Sequence, residues 1–207
     1  MLQTLFLAVY FLLKEGIYSH FANSDQKDHE MNNLQLDRFN TITKNQSIIK
    51  HVANSNAIDN IENCHHDLIR IGFNAYLDSF TIKVQIRHIQ FIQKGESIGY
   101  GSTYCDEDST IAVIGIGYAD GIPSQLSNKG HVIIEGTKCN IIGKICMDMF
   151  MVKCPKNIQP KIGSEATIIS NSDSRAMTIE EISTLTNLNP REIMTHFSQR
   201  IERTYLN

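Results

Sequence analysis

From Thr81 onward the sequence is a succession of short apolar runs cut by glycine, and that rhythm limits the fold more than any other feature. The runs are "TIKVQIRHIQFI" (81–92), "STIAVIGIGY" (109–118), "GHVIIEG" (130–136), "CNIIGKICMDMFMVKC" (139–154) and "SEATIIS" (164–170). Gly95, Gly121, Gly130, Gly136 and Gly163 stand at or between them as turn residues. β-Branched residues in short stretches separated by turn signals predict an antiparallel sheet or barrel. The texture then changes. Thr178 and Glu181 have the T-x-x-E spacing of a capping box ahead of Ile182 and Leu185, which predicts a helix start. Asn189-Pro190 is expected to end that helix and to open another.

Upstream of about residue 78 the pattern is different. "EGIYSHFA" (15–22) is a short apolar run, and "SDQKDHEMNN" is a polar loop. "LQLDRFNTITKNQ" places Leu34, Phe39 and Ile42 at roughly helical spacing. "IIKHVANS" and "DLIRIGFNAYL" are two further strand-like runs. Strands alternating with helices imply βα units and a parallel sheet. The boundary is expected near residues 77–81, giving an α/β part at 1–78 and a β-rich part at 79–207.

The first 13 residues, "MLQTLFLAVYFLL", are almost wholly apolar. A bilayer-spanning helix needs about 20 such residues. No Lys or Arg precedes the stretch and no A-x-A site follows it, so a signal peptide is not indicated. A buried helix or strand piece is expected, in a chain whose upstream barrel half is missing from this sequence.

Composition excludes several classes. An apolar fraction of 42% with 20% charged residues is that of a soluble globular protein. A net charge of −3 lacks the basic surplus that nucleic acid binding needs. The five cysteines form no CxxC pair, which points to reduced cytosolic thiols. Cys64-His65-His66-Asp67 reads as a plain loop, because adjacent residues rarely converge on one metal ion. Gly115-x-Gly117-x-x-x-Gly121 is not the dinucleotide fingerprint and lies in strand-and-turn context. Lys129-Gly130 does not fit a phosphate-binding P-loop.

Three polar residues fall at the ends of successive strand-like runs: His20, Ser55 and Arg70. In a barrel of βα units, ligand groups gather at the C-terminal ends of strands, and phosphate sits at exposed backbone N–H groups. Ser55 and Gly72 fit such a cradle. Taken singly, Ser55 reads as a helix cap and Arg70 as half of a surface ion pair. Tyr100, Tyr104 and Tyr118 read on pattern alone as packing aromatics, since a phenol ionises near pH 10 without help from a neighbouring charge.

Taken together, "EGIYSHFANSD", "HVANSNAI", "DLIRIGFNAYL", "GESIGYGSTY", "IGIGYADGIPS" and "IIGKICMDMFMV" resemble the alanine racemase family, pyridoxal phosphate enzymes of fold type III. The resemblance implies a partial (β/α)8 barrel that binds pyridoxal 5′-phosphate, followed by a β-rich C-terminal domain. It implies a cytoplasmic enzyme interconverting L- and D-alanine for peptidoglycan, with no nucleic acid or membrane partner. It also implies a head-to-tail homodimer, or an N-terminal partner fragment completing the barrel. By the same resemblance, Tyr100 corresponds to the catalytic base on the L-alanine face, and His20 to the histidine that hydrogen-bonds it. Tyr118 corresponds to a residue lining the substrate entrance. Met147, with Asp148 beside it, corresponds to the residue whose backbone binds the substrate carboxylate. Arg70 matches the arginine facing the pyridine nitrogen, and Ser55, Gly72 and Phe73 match positions around the phosphate. The family's Schiff-base lysine falls upstream of the matching stretches, and no lysine here occupies a matching motif. Ser124 stands where the family often has arginine, and Gln199 where it often has a tyrosine near the phosphate. The alternative is a catalytically inactive remnant that folds or dimerises as a β-domain.

Overall fold

The structure is a computed structural model that describes residues 15–77 and 79–206. The apolar stretch at 1–13 lies outside the described residues. The chain divides into two units, Met1–Tyr76 and Leu77–Asn207.

In the first unit, strand β1 (Gly16–Tyr18) is followed by helix α1 (Glu30–Thr43), strand β2 (Ile49–His51), helix α2 (Ser55–Asn60) and a 3-10 turn at Phe73–Ala75. β1 and β2 pair in parallel with Ile17 opposite Lys50 and Tyr18 opposite His51. A parallel pair requires a crossover, and α1 supplies it. "DLIRIGFNAYL" does not form the expected third strand. It makes one parallel bridge, Asn54 with Arg70, while Leu68, Ile69 and Ile71 remain exposed.

The helix overlaps the expected stretch but starts four residues earlier, inside the segment expected as a polar loop, and it is turned. α1 buries Asn32, Leu36, Phe39 and Thr43, at steps of four, three and four residues, and leaves Leu34 and Ile42 exposed. Two polar residues take core positions because their side chains bond locally. Asn32 Nδ2 donates to the Gln26 carbonyl at 2.8 Å, and Thr43 Oγ1 donates to the Phe39 carbonyl at 2.8 Å. The core beneath contains Ile17, Phe21, Phe39, Val52, Ala57 and Cys64.

The second unit is built on a closed antiparallel barrel. Its strands are β3 (Thr81–Ile92), β6 (Ser109–Ile114), β7 (His131–Ile134), β8 (Thr137–Ile142), β9 (Phe150–Cys154) and β10 (Glu165–Ser170), in the order β10-β3-β6-β9-β8-β7. Closure leaves no unpaired edge in the barrel. The pairing register carries the core laterally: Ile86 opposes Ile114, which opposes Phe150, and all three are fully buried. Register shifts between Ile86 and His88 and between Thr167 and Ile169 mark bulges, which bend long strands around a small barrel. The run 139–154 is therefore two strands joined by a loop.

A short hairpin, β4 (Ser97–Ile98) with β5 (Thr103–Tyr104), sits on the outside of the barrel. A second apolar cluster of Ile92, Ile98, Cys105, Ile111 and Met151 seats it. Beyond the barrel, Thr178 Oγ1 accepts the Glu181 N–H and starts α3 (Ile179–Thr186). The other half of the expected capping box is replaced: the Glu181 carboxylate lies 4.0 Å from His131 Nδ1. α3 stops at Asn187 in a left-handed conformation, φ 58°, before Asn189-Pro190. Asn189 instead caps α4 (Pro190–Thr195) by accepting the Arg191 N–H. Among the described residues no helix is long and apolar enough to cross a membrane.

The phase of α1 gives a direct test. Phe39→Ala should destabilise the first unit by about 3–5 kcal/mol, whereas Ile42→Ala should change it by less than about 0.5 kcal/mol, both measured by urea unfolding.

Candidate active site

The first unit gathers polar groups at the ends of its strands, with Arg70 at the centre. Arg70 Nη2 donates to the carbonyls of Ser19 (2.9 Å) and Val52 (3.3 Å), and Nη1 donates to the His51 carbonyl (3.1 Å). Nη1 also lies 2.8 Å from His51 Nδ1, and Nη2 lies 3.3 Å from His20 Nδ1. The guanidinium carbon sits 5.4 Å from the centre of the Tyr18 ring, which itself stacks on His51. Arg70 is thus no surface ion pair. It is a partly buried cation held by carbonyls and imidazoles, with no carboxylate among these partners.

A guanidinium can only donate, so His51 Nδ1 accepts and the ring carries its hydrogen on Nε2. Burial, and then the neighbouring Arg70 charge, hold the His51 pKa below its ordinary value. His20 faces donors on both sides. Asn54 Oδ1 accepts from Ala57 N–H and Ser24 Oγ, which turns Asn54 Nδ2 toward His20 Nε2 at 3.1 Å.

Ser55 is not the helix cap. Asn54 fills that role, and Ser55 is the first residue of α2. Its hydroxyl accepts the Gly72 N–H at 2.9 Å, which ties the α2 entrance to the segment carrying Gly72 and Phe73. A Cβ at Gly72 would meet only that hydroxyl, at 3.8 Å, so the space in front of Gly72 is open. The Cys64 thiol and His65 ring both turn to backbone carbonyls, of Ala57 and Ile58. His66 packs edge-on against Phe39.

The remaining candidates belong to the second unit. Tyr100 stands at the tip of the β4–β5 hairpin, 75% exposed. Gly99 (φ 59°) and Gly101 (φ 84°) flank it in left-handed conformations, which is why the tip needs glycine on both sides of a bulky phenol. Tyr104, expected to pack, is instead 70% exposed. The Lys144 side chain runs along Gly101: a Cβ there would lie 2.9 Å from Lys144 Cε.

Tyr118 begins a 3-10 turn, Tyr118–Asp120. Tyr118 N–H donates to the Cys146 carbonyl and Ala119 N–H to the Met147 carbonyl, both at 3.0 Å. This contact depends on Gly117, where any Cβ would collide with both carbonyls. The loop between β8 and β9 closes on itself as Cys146 N–H donates to Met149 O at 2.9 Å. Among the described residues the Met147 N–H makes no hydrogen bond, and its side chain is exposed.

Asp120 and Arg200 were not legible as site residues, yet they tie the region together. The buried Asp120 carboxylate accepts the Gly117 N–H at 2.9 Å. Arg200 bridges from it, with Nε 3.3 Å from Asp120 Oδ1 and Nη2 donating to Asp148 Oδ1 at 2.6 Å. Asp148 is therefore engaged by the C-terminal tail. The nearest sequence signal was Gln199, the tail position beside Arg200 at which the family often has a tyrosine. Tyr100, Tyr118, Met147 and Asp148 share the second unit, and His20, Ser55, Arg70, Gly72 and Phe73 share the first.

This arrangement can be set beside known proteins. Residues 79–205 match the family described as alanine racemase, C-terminal domain, and residues 8–79 match alanine racemase, N-terminal domain. The chain belongs to the alanine racemase family. An alanine racemase of Carboxydothermus hydrogenoformans is 32% identical, aligned over 93% of this chain and 58% of its own length. One of Pediococcus pentosaceus is 34% identical over 92% of this chain and 55% of its own. The alanine racemase structure from D-cycloserine-producing Streptomyces lavendulae superposes with a TM-score of 0.85 at 27% identity, covering 93% of this chain and 56% of that one. The Bartonella henselae alanine racemase, solved with covalently bound pyridoxal phosphate, gives 0.81 at 32% identity over the same shares, 93% and 56%. The chain thus spans little more than half the length of the family members it matches.

Two outcomes test this geometry. Gly117→Ala should destabilise the second unit by about 1–3 kcal/mol and speed hydrogen exchange at the Tyr118 and Ala119 amides. In the folded chain His51 is held below its ordinary value of 6.5, so its contribution to stability is present above that pH. It is lost as pH falls through the folded value. Urea midpoints should show an acid-side loss that His51→Gln reduces, and an NMR titration should place the ring below 6.5.

Proposed function

We propose that this chain supplies the C-terminal part of an alanine racemase active site, with pyridoxal 5′-phosphate as cofactor and alanine as substrate. The observation that carries the reading is the grouping in the second unit. The glycine-flanked tip that carries the exposed Tyr100 lies against Lys144, at the start of the loop whose Met147 N–H is unengaged among the described residues.

The first unit fits the cofactor. Gly72 has open space before it, with the Ser55 hydroxyl at its edge, which suits a phosphate held by hydroxyl and backbone donors. Arg70 has both terminal nitrogens tied to carbonyls and imidazoles, so its Nε–H is the donor left for a pyridine nitrogen. When bound, the cofactor supplies an electron sink for the carbanion left by loss of the α-proton.

The residues of this chain have the other tasks. Racemisation takes a proton from one face of Cα and returns one to the other, so two bases must flank it. Tyr100 is the base for the L-alanine face, and the lysine of the family's upstream segment is the base for the opposite face. The Met147 N–H holds the substrate carboxylate, and Arg200 fixes the neighbouring Asp148. His20, within reach of Arg70, belongs to the relay that supports the tyrosine. Tyr118 lines the entrance. An arginine facing the ring nitrogen cannot protonate it, which leaves the carbanion less stabilised and suits an enzyme confined to proton transfer. A second fragment bearing the lysine completes the site, with a homodimer as the assembly in which it works.

A second reading has its own support. The barrel of the second unit closes without help from any other segment, so this domain is able to fold with no catalytic role.

One experiment separates the two. The 207-residue chain alone is expected to show no racemisation of alanine. Joined to the lysine-bearing part of a family barrel it should form D-alanine from L-alanine, and Tyr100→Phe should lower that rate by about 10²–10⁴-fold. Failure of the joined enzyme to racemise, or indifference to Tyr100→Phe, would favour the non-catalytic reading.

A further inference from the structure

The strands that carry the Met147 loop also carry two cysteines, and the pairing sets them face to face. β8 and β9 place Ile141 opposite Val152 and Asn140 opposite Lys153, so one step further Cys139 stands opposite Cys154. Both are buried with free thiols. Alternation turns them to the same side as Ile141 and Val152, the interior of the barrel. Opposed residues of an antiparallel pair have Cβ atoms about 4.5–5.5 Å apart, and a disulfide needs about 3.5–4.5 Å. The gap is small, and it lies where β9 ends, so little of the ladder must shift to close it. Cys154 also borders a surface cavity of about 600 Å³, lined in addition by Thr110, Lys138, Asn140, Lys153 and Pro155.

We propose that Cys139 and Cys154 form a reversible dithiol–disulfide site, oxidised by a small hydroperoxide that enters through this cavity. The cavity gives Cys154 the first encounter. The Cys139 thiol donates to the Thr137 carbonyl at 3.7 Å, and the interaction of the two facing thiols works in the same direction, holding Cys154 below the ordinary thiol range and, with burial, pushing Cys139 above it. The Cys154 thiolate attacks the peroxide O–O bond. An S–O bond forms, the O–O bond breaks, and an alcohol or water leaves. Cys139 then attacks the Cys154 sulfur, forming the S–S bond and releasing water. Two thiols and one peroxide give one disulfide, and a thiol reductant restores them. The bond would staple the β8–β9 hairpin at the end opposite its loop, closing a ring around the segment that carries Met147. Nothing in this site depends on the racemase reading.

The test is disulfide mapping on the intact chain. It is treated with hydrogen peroxide, quenched, alkylated in denaturant with N-ethylmaleimide and digested with trypsin. The expected product is "CNIIGK" (139–144) linked to "CPK" (154–156), lighter by two hydrogens and released by dithiothreitol. More than half of the chain should carry it before Cys64 or Cys105 is modified. Recovery of both peptides with free, alkylated cysteine overturns the proposal. So does linkage of either to a peptide containing Cys64, Cys105 or Cys146. The mapping uses the natural sequence, so no variant has to fold for it to be decisive.

Discussion

The carbonyls of Cys146 and Met147 accept two successive amides from the turn at Tyr118–Asp120, and residue 117 has no side chain to keep them apart. That close approach is the constraint on which the candidate site rests. It fixes the loop between β8 and β9 from one side. Lys144, lying along Gly101, and the cluster of Ile98 and Met151 bring the Tyr100 hairpin to the same loop from another. Arg200 then closes the arrangement from the chain's C-terminal tail by joining Asp120 to Asp148. A phenol and an open amide are thereby presented by backbone hydrogen bonds and short loops on a closed barrel, which positions them more firmly than long flexible loops could.

The first unit uses charge differently. Arg70 is surrounded by carbonyl oxygens and imidazoles, so its positive charge is solvated by dipoles and, among the described residues, meets no carboxylate partner. His51 accepts from it and stays neutral, and Tyr18 covers it with a ring face. A cation kept in this way is available to an electron-rich ligand atom, and it orients the imidazole of His20 at the same time.

The motif stretches were the legible part, because turns and tight approaches demand particular residues. "GYADG" and "ICMDMFMV" recur as the locked turn and loop, and the glycine-cut runs recur as barrel strands. What was not legible arose where partners are distant in sequence or where polar groups satisfy themselves locally. Asn32 and Thr43 each donate to a nearby carbonyl, although Asn32 Oδ1 stays buried without a partner, and their burial rotates α1 away from Leu34 and Ile42. "DLIRIGFNAYL" has the composition of a strand, yet only Arg70 finds a bridge partner among the described residues. Arg200 meets Asp120 and Asp148 across 80 and 52 positions, a pairing no local pattern announces. Tyr104 ends its strand on the outward side and stays exposed, against the expectation that it would pack.

The central claim is that Tyr100 is one of two bases and serves the L-alanine face. Exchange of the α-hydrogen with deuterated solvent, followed separately from each enantiomer in the assembled enzyme carrying Tyr100→Phe, addresses it most directly. The account predicts that exchange from L-alanine is lost while exchange from D-alanine persists, since the second base remains. Exchange that survives equally for both enantiomers, or is lost equally for both, would contradict it.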